Sequence, residues 1–283
     1  MKTNHKISII QTALTALCGI VLAVHRSSQT TTGFAMVLVG AAAVVVLALG
    51  GFGVERLRNK LLLKPAEPDK LGFAMLTLSG FLFLLAAVFF FLQSGRALLG
   101  IITAIFCGLC GITTILRLSL RDSGKTAAVY SLVPIFFLSF FLLMFYRSNG
   151  DNPYLHQFGY EVAVILFVLL GIYASIAGRF EKSRPLFRSI CCSIGLCFIV
   201  QELVSLLLMP ATLLSIPDFS FAAVVILLAC SQLLCYGLFY PPVREVFPQS
   251  DEEIPEDSEE EPQEHQAPRC SQPKPSQSQQ NEP

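Results

Sequence analysis

The sequence predicts an all-α membrane protein, a polytopic bundle of about eight transmembrane helices with both chain termini in the cytoplasm. Three observations lead to this prediction. Hydrophobic residues make up 53% of the 283 positions and charged residues only 14%, whereas a soluble domain carries about 25% charged residues. The apolar residues fall in runs of about 20, long enough to cross a hydrocarbon core at the rise of an α-helix. The loops between these runs alternate between basic and nearly uncharged.

Each apolar run defines one predicted helix. The first follows two lysines, as in a signal peptide, but its length and the lack of a small-residue cleavage site favour a retained helix. The third and fourth are joined by a very short turn at Gly95 and Arg96, which predicts an antiparallel hairpin. The fifth contains Pro134, which tends to kink a helix but is tolerated in bundles. The predicted helices cover about 7–24, 33–53, 71–92, 97–116, 127–146, 160–178, 187–209 and 219–240.

The positions of Lys and Arg predict how the helices are oriented. Cytoplasmic loops of membrane proteins are enriched in basic residues. With eight helices and a cytoplasmic N-terminus, 17 of the 20 Lys and Arg residues fall on the cytoplasmic side. A missed or additional helix would break this alternation. Tyrosines near predicted helix ends are typical of anchors at the membrane interface; they are Tyr130, Tyr146, Tyr160, Tyr236 and Tyr240.

The composition divides the chain into a transmembrane domain, 1–242, and a cytoplasmic tail, 243–283. From position 241 onward there are 11 acidic residues, three basic residues and nine of the 16 prolines. Such a segment buries too little apolar surface to offset the entropy cost of ordering, so we predict that it is disordered. An acidic tail could dock a basic protein partner, or it could serve only to keep the chain solvated.

No catalytic, cofactor-binding or metal-binding motif is apparent in the sequence. Cys107 and Cys110 have the spacing of a zinc or redox pair, but no histidine or second pair lies near them, and a zinc site needs about four ligands. Cysteines within the apolar runs are typical of small buried hydrophobic residues. The positive-inside rule accounts for the basic loops without nucleic-acid binding. We therefore expect a protein that is not an enzyme and has no metal, cofactor or nucleic-acid ligand.

Four polar residues are candidates for a functional site. A charged side chain at the centre of a transmembrane helix costs about 2.5–3.5 kcal/mol, so Glu202, about 10 Å from the outer end of its helix, requires an explanation. Gln201 precedes it, while Arg147 and Glu161 lie at the outer ends of the fifth and sixth helices. One interpretation is an outward-opening pocket where Glu202 binds a cation or proton, with Arg147 and Glu161 at its mouth. The other is a structural Arg147–Glu161 pair and a Glu202 that is protonated or hydrogen-bonded between helices.

Small and polar residues recur every four positions on two of the helices. These stripes are Gly100, Ala104 and Gly108 on the fourth helix and Ser189, Ser193, Cys197 and Gln201 on the seventh. Such stripes let helices approach closely, although a polar stripe could also line a substrate path. Glu202 points about 100° away from Gln201 and shares its face with Gly195 and Ser205.

A series of short motifs follows the fifth and sixth predicted helices. They are Pro134 in an aromatic-rich helix, Tyr146-Arg147 at its end, Asn152-Pro153, Tyr160-Glu161, Gly171, Tyr173 and Gly178-Arg179. In these motifs, residues 134–179 resemble part of an uncharacterised family of polytopic membrane proteins from Gram-positive anaerobic bacteria. Related sequences often carry adjacent aromatic residues where this chain has only Tyr173. The resemblance implies a bacterial cytoplasmic membrane and no established activity.

Two functions are compatible with these features. The first is a non-enzymatic integral membrane protein that serves as an accessory or interaction component, with the acidic tail as a possible contact for a protein partner. The alternative is a secondary permease or ion-coupled transporter that uses the intramembrane Glu202.

Overall fold

The computed structural model of the protein describes residues 2–28, 33–60, 69–93, 98–119, 124–149, 155–177, 185–208 and 221–240. Within these ranges the secondary structure consists of eight α-helices, and the predicted helical bundle is confirmed. Seven of them are long and apolar enough to cross a membrane, and the sixth contains the shorter apolar stretch Val162–Ala177. The helices are α1 (Lys2–Ser28), α2 (Gly33–Lys60), α3 (Lys70–Gln93), α4 (Leu98–Ser119), α5 (Gly124–Asn149), α6 (Leu155–Ala177), α7 (Pro185–Leu208) and α8 (Phe221–Phe239).

Several helices extend beyond the apolar runs that predicted them. Helix α1 begins at Lys2, and α2 continues through Arg56 and Arg58 to Lys60. Hydropathy marks the part of a helix that suits a hydrocarbon environment, whereas backbone hydrogen bonding continues through the polar residues that follow. Helix α5 also continues through Pro134 without interruption.

Helices α1 and α7 run parallel to each other. Near the start of both, Gln11 donates a hydrogen bond to Ser189, and near the end of both, Arg26 contacts Glu202. The chain must therefore cross the bundle an even number of times between the start of α1 and the start of α7. This condition is met when all six helices from α1 to α6 cross, including the 23-residue α6.

The start of α1 and the end of α8 lie at the same end of the bundle. Ser8 Oγ donates to the carbonyl of Leu238 at 3.3 Å. Asp69, just before α3, accepts a hydrogen bond from the hydroxyl of Tyr240, just after α8. We call this end the Asp69 end and the opposite one the Glu202 end. The contacts agree with the predicted alternation of the helices, while the assignment of the Asp69 end to the cytoplasm stays a prediction.

Helices α7 and α8 form the centre of the bundle. About two thirds of each apolar span (67%) is buried, against 17% for α2. Helix α7 packs against α1, α2, α6 and α8, and α8 also packs against α3. On the outside, large apolar side chains are left uncovered, among them Leu98 at 74% exposure and Leu207 at 80%. An apolar exterior around a packed helical interior is what a lipid bilayer requires.

The stripe of small residues predicted on α4 lies beside the close contact between α3 and α4, not at it. A Cβ on Gly111 would lie 2.8 Å from the carbonyl oxygen of Gly80, so these glycines let α3 and α4 approach closely. Ala104 is buried, whereas a Cβ on Gly108 would make only an ordinary contact, 3.8 Å from Ala87. The closest approach therefore lies nearly one turn further along α4 than the Gly108 end of the predicted stripe.

By its internal contacts the chain divides into Met1–Glu245 and Val246–Pro283. The first unit contains all eight described helices. The second lies outside the described residues, so disorder and partner binding in 243–283 stay predictions.

Candidate functional site

The polar stripe predicted on α7 is covered by α1. Gln11 Nε2 donates to Ser189 Oγ and Ser193 Oγ, both at 2.8 Å. Cys197 lies one turn beyond Ser193 on α7, and its carbonyl oxygen would be 2.6 Å from a Cβ on Gly19 of α1. Glycine at this position therefore lets the backbone of α1 approach the backbone of α7. Hydrogen bonds and small residues of this kind join helices within membranes, and this geometry favours helix packing over a substrate path.

Glu202 is completely buried and forms an ion pair with α1. Arg26 Nη1 donates to Glu202 Oε2 at 2.8 Å, with the two side chains 11% and 0% exposed respectively. A carboxylate removed from water keeps its charge at acceptable cost only when it is paired and hydrogen-bonded. Arg26 supplies both the opposite charge and a donor. Glu202 is thus hydrogen-bonded between helices, as the structural interpretation of the sequence proposed.

Gln201 lies beside this pair and faces a small cavity. Its side chain is 1% exposed, and neither Nε2 nor Oε1 has a hydrogen-bond partner in the described part of the chain. The cavity measures about 20 Å³ and is also lined by His25, Arg26 and Gly40. This volume accommodates one molecule the size of water. The cavity could therefore take part in proton or ion chemistry but is too small for an organic substrate.

The other two predicted site residues do not lie in this arrangement. Arg147 is exposed in the last turn of α5. Glu161 belongs to α6, but its side chain lies outside the described residues. An Arg147–Glu161 pair, or a pocket mouth formed by the two, stays a prediction.

Sequence reasoning did not single out Arg26, the partner of Glu202. A signal was present, because polar or small residues recur at helical spacing along one face of α1. This face contains Gln11, Thr15, Gly19 and Arg26, and all four contact α7 or are buried in the bundle. A polar stripe on α1 and a polar stripe on α7, both in apolar helices, indicate that the two helices pair.

At the opposite end, Asp69 and Tyr240 join the start of α3 to the end of α8. Asp69 Oδ1 accepts hydrogen bonds from the backbone N–H groups of Leu71 at 3.0 Å and Gly72 at 3.2 Å, and another from the Tyr240 hydroxyl. The Tyr240 hydrogen bond holds the pKa of Asp69 below its usual range. Burial, followed by the Asp69 carboxylate, raises the pKa of Tyr240. Tyr240 is only 3% exposed, whereas Tyr146 is 57% exposed, and the role of these tyrosines as interfacial anchors stays a prediction.

The Cys107-x-x-Cys110 pair lies in the contact between α3 and α4. Both cysteines are fully buried, and Cys107 Sγ donates to the carbonyl of Phe83 at 3.2 Å. Across the ranges that the structure describes, no group of three or more His, Cys, Asp or Glu residues is placed to hold a metal ion. The two cysteines therefore contribute packing volume and one weak hydrogen bond.

Comparisons of this chain with protein-family models, curated proteins and solved structures gave no match. The resemblance of residues 134–179 to a bacterial membrane family stays a prediction.

Proposed function

We propose that the protein is a non-enzymatic, multi-pass accessory component of a bacterial cytoplasmic membrane, in which buried polar contacts hold α1 against α7. The Arg26–Glu202 pair carries this proposal. The carboxylate that a transporter would use to exchange a cation or proton is fully enclosed, and a guanidinium lies 2.8 Å from it. Releasing the pair during a transport cycle would break a buried ion pair at a considerable cost in free energy.

A second candidate is a secondary permease or ion-coupled transporter that uses Glu202. The observation in its favour is the buried Gln201 amide, which has no hydrogen-bond partner among the described residues and faces a cavity next to Arg26. Buried polar groups normally find partners. In this alternative a cation or proton displaces Arg26 from Glu202, and Gln201 stabilises the species that enters.

Proteoliposomes containing Glu202→Gln distinguish the two candidates. The accessory proposal predicts that this variant loses thermal stability, because Arg26 keeps its charge without a carboxylate, and that an imposed pH gradient drives no Glu202-dependent proton flux. A dye inside the vesicles measures the flux, and the unfolding midpoint of the same sample measures stability. Arg26→Gln should be destabilised in the same way. Arg147→Gln removes an exposed arginine and should change neither quantity.

A transporter predicts the opposite pattern for Glu202→Gln. Proton flux in the wild type, lost in the variant at an unchanged unfolding midpoint, would overturn the accessory proposal.

The proposed contact with other proteins resides in the acidic tail. Deletion of 243–283 should remove specific proteins from the set that co-purifies with the chain, and a basic partner should be among them. An unchanged set would show that the tail takes no part in the interaction.

A further inference from the structure

The Asp69 end contains a buried arginine that lacks a partner. Arg188, in the first turn of α7, is 4% exposed, and its Nε is buried without an acceptor. Its guanidinium makes no hydrogen bond or ion pair with any residue that the structure describes. A buried charge is normally paired, because leaving it uncompensated is costly. Long basic side chains near helix ends often extend to water, but an exposure of 4% does not fit that explanation.

The acidic residue on the neighbouring helix α2 is already engaged by a second arginine. Glu55, itself buried, pairs with Arg58 at 2.8 Å, and Arg58 Nη2 also donates to Ser8 Oγ at 2.8 Å. Helix α2 reaches the start of α7 through Gly51, where a Cβ would lie 3.0 Å from the side chain of Ile190. Glu55 and Arg58 follow Gly51 within about two turns of α2.

The side chains of Arg58, Arg188 and Glu55 together carry a net charge of +1. Two guanidinium groups, Arg58 and Arg188, lie near one carboxylate, Glu55. The other described carboxylate at this end, Asp69, accepts its hydrogen bonds from Tyr240 and from the start of α3. The cluster is therefore suited to an anion.

We propose that Arg188, supported by Arg58, binds a phosphate oxyanion at this end of the bundle. A guanidinium presents parallel N–H groups that match two oxygens of a phosphate, which an ammonium cannot do. The Asp69 end is the predicted cytoplasmic end, and basic pockets between helices on that side are typical sites for phospholipid headgroups. The phosphate could belong to an anionic lipid or be free in solution. This inference is independent of the role of Glu202.

Nanodiscs containing the full chain test the site. The unfolding midpoint is measured in digalactosyldiacylglycerol alone, a neutral lipid without phosphate, in this lipid with phosphatidylglycerol, and in this lipid with inorganic phosphate. Arg188→Gln is compared with Arg56→Gln, which removes an exposed arginine near the same end and changes the net charge equally. Native mass spectrometry of detergent-released protein counts retained phosphatidylglycerol.

The proposal predicts that an anionic ligand raises the midpoint of the wild type and of Arg56→Gln but not that of Arg188→Gln. Binding by Arg188→Gln should weaken at least about tenfold, as expected for loss of a charge-assisted hydrogen bond. Without the ligand, Arg188→Gln should be no less stable than the wild type, because a buried charge without a partner has been removed.

Each outcome bears on the proposal. An effect of phosphatidylglycerol alone identifies a lipid headgroup site, and an equal effect of inorganic phosphate identifies a site for free phosphate. Equal responses of the wild type and Arg188→Gln would overturn the proposal. A loss of stability in Arg188→Gln that Arg188→Lys restores in the phosphate-free lipid alone would also overturn it, because Arg188 would then be needed only for folding.

Discussion

The two ends of the contact between α1, α2 and α7 compensate their buried charges differently. At the Glu202 end, one guanidinium and one carboxylate form a pair between α1 and α7. At the Asp69 end, Glu55 is paired with Arg58 on its own helix, and Arg188 has no acidic partner among the described residues. The charges of the Arg26–Glu202 pair balance, whereas those of Glu55, Arg58 and Arg188 do not. This difference is the basis for proposing a structural role for one end and a ligand-binding role for the other.

One face of α1, made of polar and small residues, connects the two ends. Gln11 lies near the Asp69 end, Gly19 in the middle and Arg26 at the Glu202 end. A change in the middle should therefore affect both ends, and a change at one end should leave the other in place.

The largest of these effects is expected from Gly19→Ala. The added Cβ would lie 2.6 Å from the carbonyl oxygen of Cys197 and 2.8 Å from Cβ of Val200, so the two helices must move apart. We expect a loss of about 2 kcal/mol in the free energy of unfolding, typical of overpacking. Gly53→Ala is the matched control, because no atom lies within 4 Å of its added Cβ, and it should keep or slightly raise stability. Reversible denaturation in mixed micelles measures both variants, and equal effects would contradict close packing at Gly19.

A smaller loss is expected from Gln11→Leu at the Asp69 end. This change removes two hydrogen bonds, to Ser189 and Ser193, and interhelical hydrogen bonds in membranes contribute about 0.6 kcal/mol each. We expect a loss of about 1 kcal/mol in the same denaturation measurement.

The counterpart at the other end is Gln201→Leu, which should not destabilise the protein. The Gln201 amide has no hydrogen-bond partner in the described chain, and replacing it with an apolar group removes a buried polar group. A loss as large as that of Gln11→Leu would show that the Gln201 amide makes a stabilising interaction in the resting protein and would contradict this prediction.

A loss smaller than that of Gln11→Leu is expected from Tyr240→Phe, and it should depend on pH. Because the pKa of Asp69 is lowered on folding, its hydrogen bond stabilises the protein above about pH 4 and less as the pH falls through the folded value. Because the pKa of Tyr240 is raised on folding, the hydrogen bond keeps its full contribution from neutral pH up to about pH 10. That contribution is lost at higher pH, where the Tyr240 hydroxyl loses its proton.

We expect Tyr240→Phe to lose about 0.5 kcal/mol at neutral pH and nothing in acid, since Asp69 is partly exposed to solvent. Unfolding midpoints across the pH range measure the difference from the wild type. A difference that stays constant with pH would rule out Asp69 as the partner responsible for it.

The helices could be predicted because the thickness of the hydrocarbon core sets the length of an apolar run, and because basic residues are enriched in cytoplasmic loops. The partner of Glu202 could not, since Arg26 is 176 positions away and the pairing depends on α1 lying against α7. Glu202 itself was identifiable, because a carboxylate within an apolar run has few harmless explanations. Arg188 was not, since a basic residue at a helix start is ordinarily explained by the positive-inside rule. Helix α2 approaches the start of α7 closely at Gly51, and no local pattern encodes that contact.

The central claim is that Arg26 and Glu202 act as a pair that holds α1 against α7, and a double-mutant cycle measures this directly. Arg26→Met and Glu202→Leu should each cost about 3 kcal/mol in the free energy of unfolding, because each removes one member of a buried ion pair. The double variant should be nearly as stable as the wild type, since apolar side chains can replace a buried ion pair at little cost. Losses that simply add in the double variant, or a Glu202→Leu variant of wild-type stability, would contradict the account.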